Sequence, residues 1–199
     1  MVTTTTQQPQ QLSLEAFLQR PETKPATEFF HGSLTQKPMP TGKHSRLRSR
    51  LTREIDQRTE APEIALALTE LRCTFGGRSL VLDIAVIRWE NLPWDEDETI
   101  GDRFEQCPDW VIEILSPQQP QYLVMEKILF CLQHGTAMGW LIDPYVESIT
   151  VFRKDKTPTL HLSQPLPETQ DTPLPMLDDL GDWKLYAKDL FGWLKRPSH

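Results

Sequence analysis

Two carboxylates stand where burial of a charge is costly. Asp83 is the single charged residue of Val81-Leu82-Asp83-Ile84-Ala85-Val86, and Glu113 that of Trp110-Val111-Ile112-Glu113-Ile114-Leu115. Continuous apolar runs of this kind predict strands covered on both faces. A carboxylate inside one must be paired, hydrogen-bonded or bound to a cation. Either acid alone could lie at a sheet edge or meet an arginine. One in each of two neighbouring strands points to a shared site. A hard divalent cation, Mg²⁺ or Mn²⁺, suits it, because such ions take carboxylate and carbonyl oxygens and keep several waters. Held there, the ion polarises a phosphoryl oxygen and lowers the pKa of an attacking water, as phosphodiester hydrolysis requires.

That chemistry also gains from a lysine beside the cation, which orients water or offsets transition-state charge. Residues two apart on a strand share a face, so the place beside Glu113 is position 115, which holds Leu115. Lys127, in Glu126-Lys127-Ile128-Leu129-Phe130-Cys131, is three residues from Val124 and four from Cys131. On a helix it leans toward the apolar side, although a solvated-face lysine fits the pattern equally. Asp109 precedes Glu113 by four residues, roughly 13 Å along a strand. That is too far to share an ion with ligand bonds near ~2.1 Å. Asp109 suits a capping position, the lead into the strand, or a supporting role behind the ligands. His44 is a candidate phosphate contact beside Arg46, or else a surface histidine at a helix terminus.

Further elements must carry these groups. Leu12 to Leu18 predicts a short helix ended by Pro21 to Pro25, and Thr27 to Gln36 a hairpin turning at His31-Gly32. From Gly42 to about Arg58, Leu47, Leu51 and Ile55 recur every four residues as one buried helical stripe. Arg46, Arg50 and Arg53 form a neighbouring stripe, a candidate nucleic-acid surface unless they pair with Glu54, Asp56 or the acidic loop. Strands are expected over Ile64 to Phe75, Leu80 to Ile87, Trp110 to Leu115, Met138 to Ile142 and Ser148 to Phe152. A helix should start after Ser116-Pro117 and end at Gly135. Residues 154–182, rich in Pro, Thr and Asp, read as a surface wrap, and Leu185 to Leu194 as a short docking helix. The order predicts an α/β chain: one mixed central sheet flanked by helices.

Residues 12–196 are expected to form one domain, with residues 1–11 a disordered tail. Hydrophobic residues at 38% and charged residues at 25% are ordinary for a globular protein. The start is Thr- and Gln-rich and unlike a signal peptide, and no apolar run reaches membrane-spanning length. Cys73, Cys107 and Cys131 are scattered and odd in number, which predicts reduced thiols and a cytoplasmic location. The net charge of −7 argues against an overall basic coat. Eight acids against Arg103 between Glu90 and Asp109 account for all of it, so a local nucleic-acid footprint stays open. Asp95 to Glu98 lack the spacing of a calcium loop and read as a solvated loop. Neither a G-x-S-x-G elbow nor a Gly-rich phosphate loop is present.

Pro108-Asp109-Trp110-Val111-Ile112-Glu113-Ile114-Leu115-Ser116-Pro117, followed by Lys127, Gly135 and Trp140-Leu141-Ile142-Asp143-Pro144, resembles the Uma-type family. Its members are restriction-endonuclease-like proteins of the PD-(D/E)XK nuclease superfamily. The resemblance runs from about Leu12 to Leu194. It includes Pro38-Met39-Pro40 before His44 and the closing Asp189-Leu190-Phe191-Gly192-Trp193-Leu194. It implies a restriction-endonuclease-like fold and a site of Asp83, Glu113 and a lysine moved onto the helix, Lys127. Glu28 matches a glutamate that the family carries near its start. Three departures stand out: Leu82 where a proline is usual, His31 for an acidic residue, and Cys131 for a tyrosine. The resemblance further implies DNA as substrate and a homodimer, since cutting two strands suits two-fold symmetry. A non-catalytic interaction or nucleic-acid-binding module that kept the fold is the alternative.

Overall fold

Buried positions recur along the chain with the two periods that separate helices from strands. The computed structural model describes residues 12–30, 32–117, 119–167, 171–180 and 182–196; the expected 1–11 tail and the His31 departure lie outside them. In chain order come α1 (Leu14–Leu18), β1 (Thr27–Phe30), β2 (Ser33–Gln36), α2 (Gly42–Thr59), β3 (Ala65–Phe75) and β4 (Arg78–Arg88). β5 (Trp110–Ile114), α3 (Gln121–Gln133), β6 (Met138–Asp143), β7 (Ser148–Arg153), β8 (Thr159–Leu162) and α4 (Ala187–Gly192) follow. The strands form one mixed sheet in the order β2-β1-β4-β5-β6-β7-β8, with β3 also on β4. Among the strands of the described residues only β5 and β6 pair in parallel, and α3 makes the crossover between them.

The helices cover both faces, as the expected fold requires. Leu47, Leu51 and Ile55 of α2 and Leu190 and Phe191 of α4 pack with Trp110, Ile112 and Ile114. On the other face Val124, Ile128 and Cys131 of α3 pack with Val111 and Leu115. Each fully buried Leu or Ile contributes about 1.5–3 kcal/mol. Helix α3 lies so close to the sheet that a Cβ at Gly139 would collide with Ile128. Among the described residues, no helix is long and apolar enough to cross a membrane.

Some boundaries differ from expectation. Helix α3 starts at Gln121 behind Pro120 rather than after Ser116-Pro117. The Ser116 N–H donates to Gln119 Oε1, forming a turn that delays the helix. Segment 154–182 is not only a surface wrap. It supplies β8, and its Leu174, Leu177 and Leu180 are buried in the core, because leucines three apart outweigh the polar composition around them.

The arrangement of β4 prepares the site. One edge pairs with β3 along the length of the strand. The other edge is divided, with β1 meeting it at Ser79 and β5 at Ile84 to Val86. Between them the sheet forks, and the backbone at Val81 and Asp83 lacks a strand partner there. At the same level the in–out alternation slips. Leu80 and Leu82 face the α3 side, yet so do Ala85 and Ile87, while Ile84 and Val86 face the α2 side. Strand β3 slips in step, at Glu70, which lies opposite Asp83 and has φ +53°. A non-glycine residue in that left-handed region stores some strain, and here it lies inside a strand rather than in a turn.

Candidate functional site

Side chains occupy the fork. The Val81 N–H donates to Glu28 Oε1 (2.8 Å), the Lys37 ammonium donates to the Val81 carbonyl (2.9 Å), and the Asp83 N–H approaches Glu113 Oε1 at 3.4 Å. These bonds satisfy backbone groups that a continuous ladder would have paired. Thus β1 delivers Glu28, the residue after β2 delivers Lys37, and β4 and β5 deliver Asp83 and Glu113.

The Asp83 carboxylate is fully engaged. Oδ1 accepts from Lys37 Nζ at 2.6 Å, and Oδ2 accepts from the Ile114 N–H at 2.8 Å and lies 3.0 Å from His44 Nε2. Burial alone would raise its pKa, but Lys37, then His44 and Lys127, hold it well below the usual carboxylate range. Glu113 behaves oppositely. Its burial, reinforced by Asp83 and Glu28 against the opposing Lys127 and Lys37, pushes its pKa up to about 7. Lys127 Nζ lies 2.8 Å from Glu28 Oε1 and 3.3 Å from Glu113 Oε2. Burial would lower its pKa, but Glu113, Glu28 and Asp83 outweigh burial and keep it charged. Lys37 is likewise raised, chiefly by Asp83 against its own burial.

Asp83, Glu113 and Lys127 therefore converge as expected, and Glu28 joins them. Lys127 is buried on the Val124–Ile128–Cys131 stripe, which removes the solvated-face reading. His44 is a correction to the surface-histidine reading: it is buried and faces Asp83. Thr41 caps α2 by accepting the His44 N–H, and His44 extends the Leu47–Leu51–Ile55 stripe one turn toward the N-terminus. Asp109 does not join the site. It leads into β5, accepts from the Arg88 N–H at 2.8 Å and from Asn91 Nδ2, and so ties down the far end of the strand. The three expected arginines lie elsewhere too. Arg46 donates to the Trp193 carbonyl, Arg50 pairs with Glu54 and covers the Trp193 ring, and Arg53 is exposed. None of them lines the cavity at Asp83, whereas Arg48 and Arg72 do.

That cavity, of about 480 Å³, opens onto Asp83, Glu113, Lys37, His44, Arg48 and Glu70. A second, of about 360 Å³, lies against Glu28, Lys127 and Leu123, and Lys37 forms part of the wall of both. Among the described residues no group of three or more His, Cys, Asp or Glu side chains is arranged to hold a metal. The donor set still fits a hard divalent cation. Asp83 and Glu113 both line one cavity, where an ion would exchange for the donors now on their oxygens, and an ion that retains most of its water needs few protein ligands. Lys37, Glu70 and Arg48 were missed by the sequence reading. His44 alone among the misplaced residues carried a usable signal, its helical phase with Leu47 and Leu51.

A family model described as "Uma2: Putative restriction endonuclease" matches residues 14–185. Among solved structures, the chain is similar to a "putative nuclease belonging to DUF820" from Anabaena variabilis ATCC 29413. The two are 42% identical, with a TM-score of 0.86 over 92% of this chain and 99% of that one. No curated protein matches.

Proposed function

Since the chain belongs to the Uma2 family, we propose that it is a metal-dependent endonuclease that hydrolyses phosphodiester bonds in DNA. One observation carries this reading: Asp83, Glu113 and Lys127 meet at a fork in the sheet, the two carboxylates lining one cavity and Lys127, 3.3 Å from Glu113, lining its neighbour. Asp83 and Glu113 would hold Mg²⁺ or Mn²⁺, which supplies Lewis-acid polarisation and a more acidic water when bound. Lys127, fixed between Glu113 and Glu28, presents a permanent positive charge where negative charge builds on a phosphoryl group. His44 and the Ile114 N–H hold one oxygen of Asp83 in place, and the other accepts from Lys37 at the wall of the cavity. Arg48 and Arg72, at the same cavity, are suited to flanking phosphates. Cutting a duplex would use two copies, which a native-mass measurement with bound DNA tests.

A second reading, a DNA-binding module without catalysis, is favoured by one observation: both Asp83 oxygens already have partners. Incubation with an end-labelled DNA duplex and Mg²⁺ separates the two. Cleavage by wild type, lost in Lys127→Met while binding persists, supports the nuclease. Binding without cleavage under Mg²⁺ and Mn²⁺ supports the module.

A further inference from the structure

Asp83 has one oxygen free of the polypeptide backbone and of His44, and an ammonium occupies it. Oδ2 is committed to Ile114 N and His44 Nε2, so a cation approaching from the cavity must take Oδ1. Lys37 Nζ already sits there at 2.6 Å, buried and anchored by the Val81 carbonyl. An ammonium and a divalent ion on that one oxygen repel each other, and a buried setting strengthens the repulsion. A second carboxylate waits nearby. Glu70 lies opposite Asp83 across β3 and β4, in the left-handed conformation, with Oε1 4.0 Å from Lys37 Nζ and in contact with Arg48. Its side chain is 42% exposed in the same cavity.

We propose that Lys37 is an internal counter-cation which a divalent ion displaces from Asp83, and that Glu70 is the carboxylate that receives it. The inference rests on the cation site of the proposed function and adds to it two residues and a coupling between them. Metal binding becomes an exchange of one cation for another on Asp83, with the lysine moving toward Glu70 and the mouth of the cavity. The Glu70 carboxylate, paired with Arg48, already lies 4.0 Å from the Lys37 ammonium.

Calorimetric titration of MnCl₂ into wild type, Lys37→Gln, Glu70→Gln and the double variant tests this without any activity readout. Removing the competitor should tighten Mn²⁺ binding about tenfold or more in Lys37→Gln. Removing the receiver should weaken it severalfold in Glu70→Gln. In the double variant the Glu70 effect should vanish, because no lysine remains to be received. An equal loss from Glu70→Gln in both backgrounds would make Glu70 a simple attractor of cations and overturn the exchange. Unchanged affinity in Glu70→Gln, an exposed position whose substitution leaves the core intact, would overturn it as well. Wild type and Lys37→Gln both failing to bind Mn²⁺ would instead remove the cation site on which the proposed function stands.

Discussion

Replacing Glu113 by Gln keeps the size of the side chain and removes its charge, so it isolates the free energy stored in that ionisation. In the folded protein the Glu113 pKa is pushed from 4.5 up to about 7, first by burial and then by Asp83. A carboxyl group raised on folding binds its proton more tightly in the native state. Its contribution is therefore full below pH 4.5 and lost as pH rises through 7. Between pH 5 and pH 8 this amounts to about 2 to 3 kcal/mol, because a tenfold change in proton affinity is worth about 1.36 kcal/mol. Asp83 is shifted the other way and loses its contribution only below its ordinary 3.8, outside this window. Urea denaturation of both proteins in EDTA at pH 5, 6, 7 and 8 measures the effect. The stability difference between Glu113→Gln and wild type should move in favour of the variant by about 2 to 3 kcal/mol from pH 5 to pH 8. Parallel curves would show that Glu113 is charged throughout and that the fork is far more polar than its geometry implies.

Further tests address the scaffold and the charged surface. Gly139→Ala forces α3 away from β6 and should lower stability by about 1–3 kcal/mol, with Mn²⁺ affinity falling in parallel because Lys127 rides on α3; thermal melting and calorimetry measure both. Arg46→Ala with Arg50→Ala should cost at most about 1 kcal/mol of stability and leave the salt dependence of DNA binding unchanged. A flattened slope would return the nucleic-acid surface to α2. Burial pushes the Cys73 thiol up to about 12 and Cys131 higher still, so in the native protein a disulfide reagent should label Cys107 alone. Rapid labelling of Cys131 would mean that α3 opens readily.

The sequence declares the acids and is silent about their partners. Asp83 and Glu113 interrupt apolar runs, and that contradiction is visible in one dimension. Lys127 is half-visible, because helical phase leans it inward without saying what it meets. Lys37 is 46 residues from the carboxylate it pairs with, at the end of an exposed edge strand, and nothing local marks it. Glu70 becomes notable only through the β3–β4 register that sets it opposite Asp83. The slip in alternation there is equally hidden, since apolar residues on both sides of Asp83 read as one uninterrupted buried strand. The helix misjudged at Ser116 shows the same limit from the other side. A cap-like Ser-Pro pair is a local signal, and the Gln119 side chain overrides it. The arginine stripe is real as a pattern, but α4 arrives from the far end of the chain to engage two of its members.

If the fork between β1 and β5 is a phosphodiester-hydrolysing centre built on Asp83 and Glu113, cleavage must depend on a divalent ion and on the Asp83 charge together. The initial rate of cleavage of a labelled DNA duplex, followed as Mn²⁺ is titrated into wild type and Asp83→Asn prepared identically, reads both dependences at once. In wild type the rate should rise and saturate with Mn²⁺ and vanish in EDTA, and Asp83→Asn should be inactive at every concentration. Equal cleavage by the two proteins, or cleavage by wild type that persists in EDTA, would contradict a metal centre at the fork.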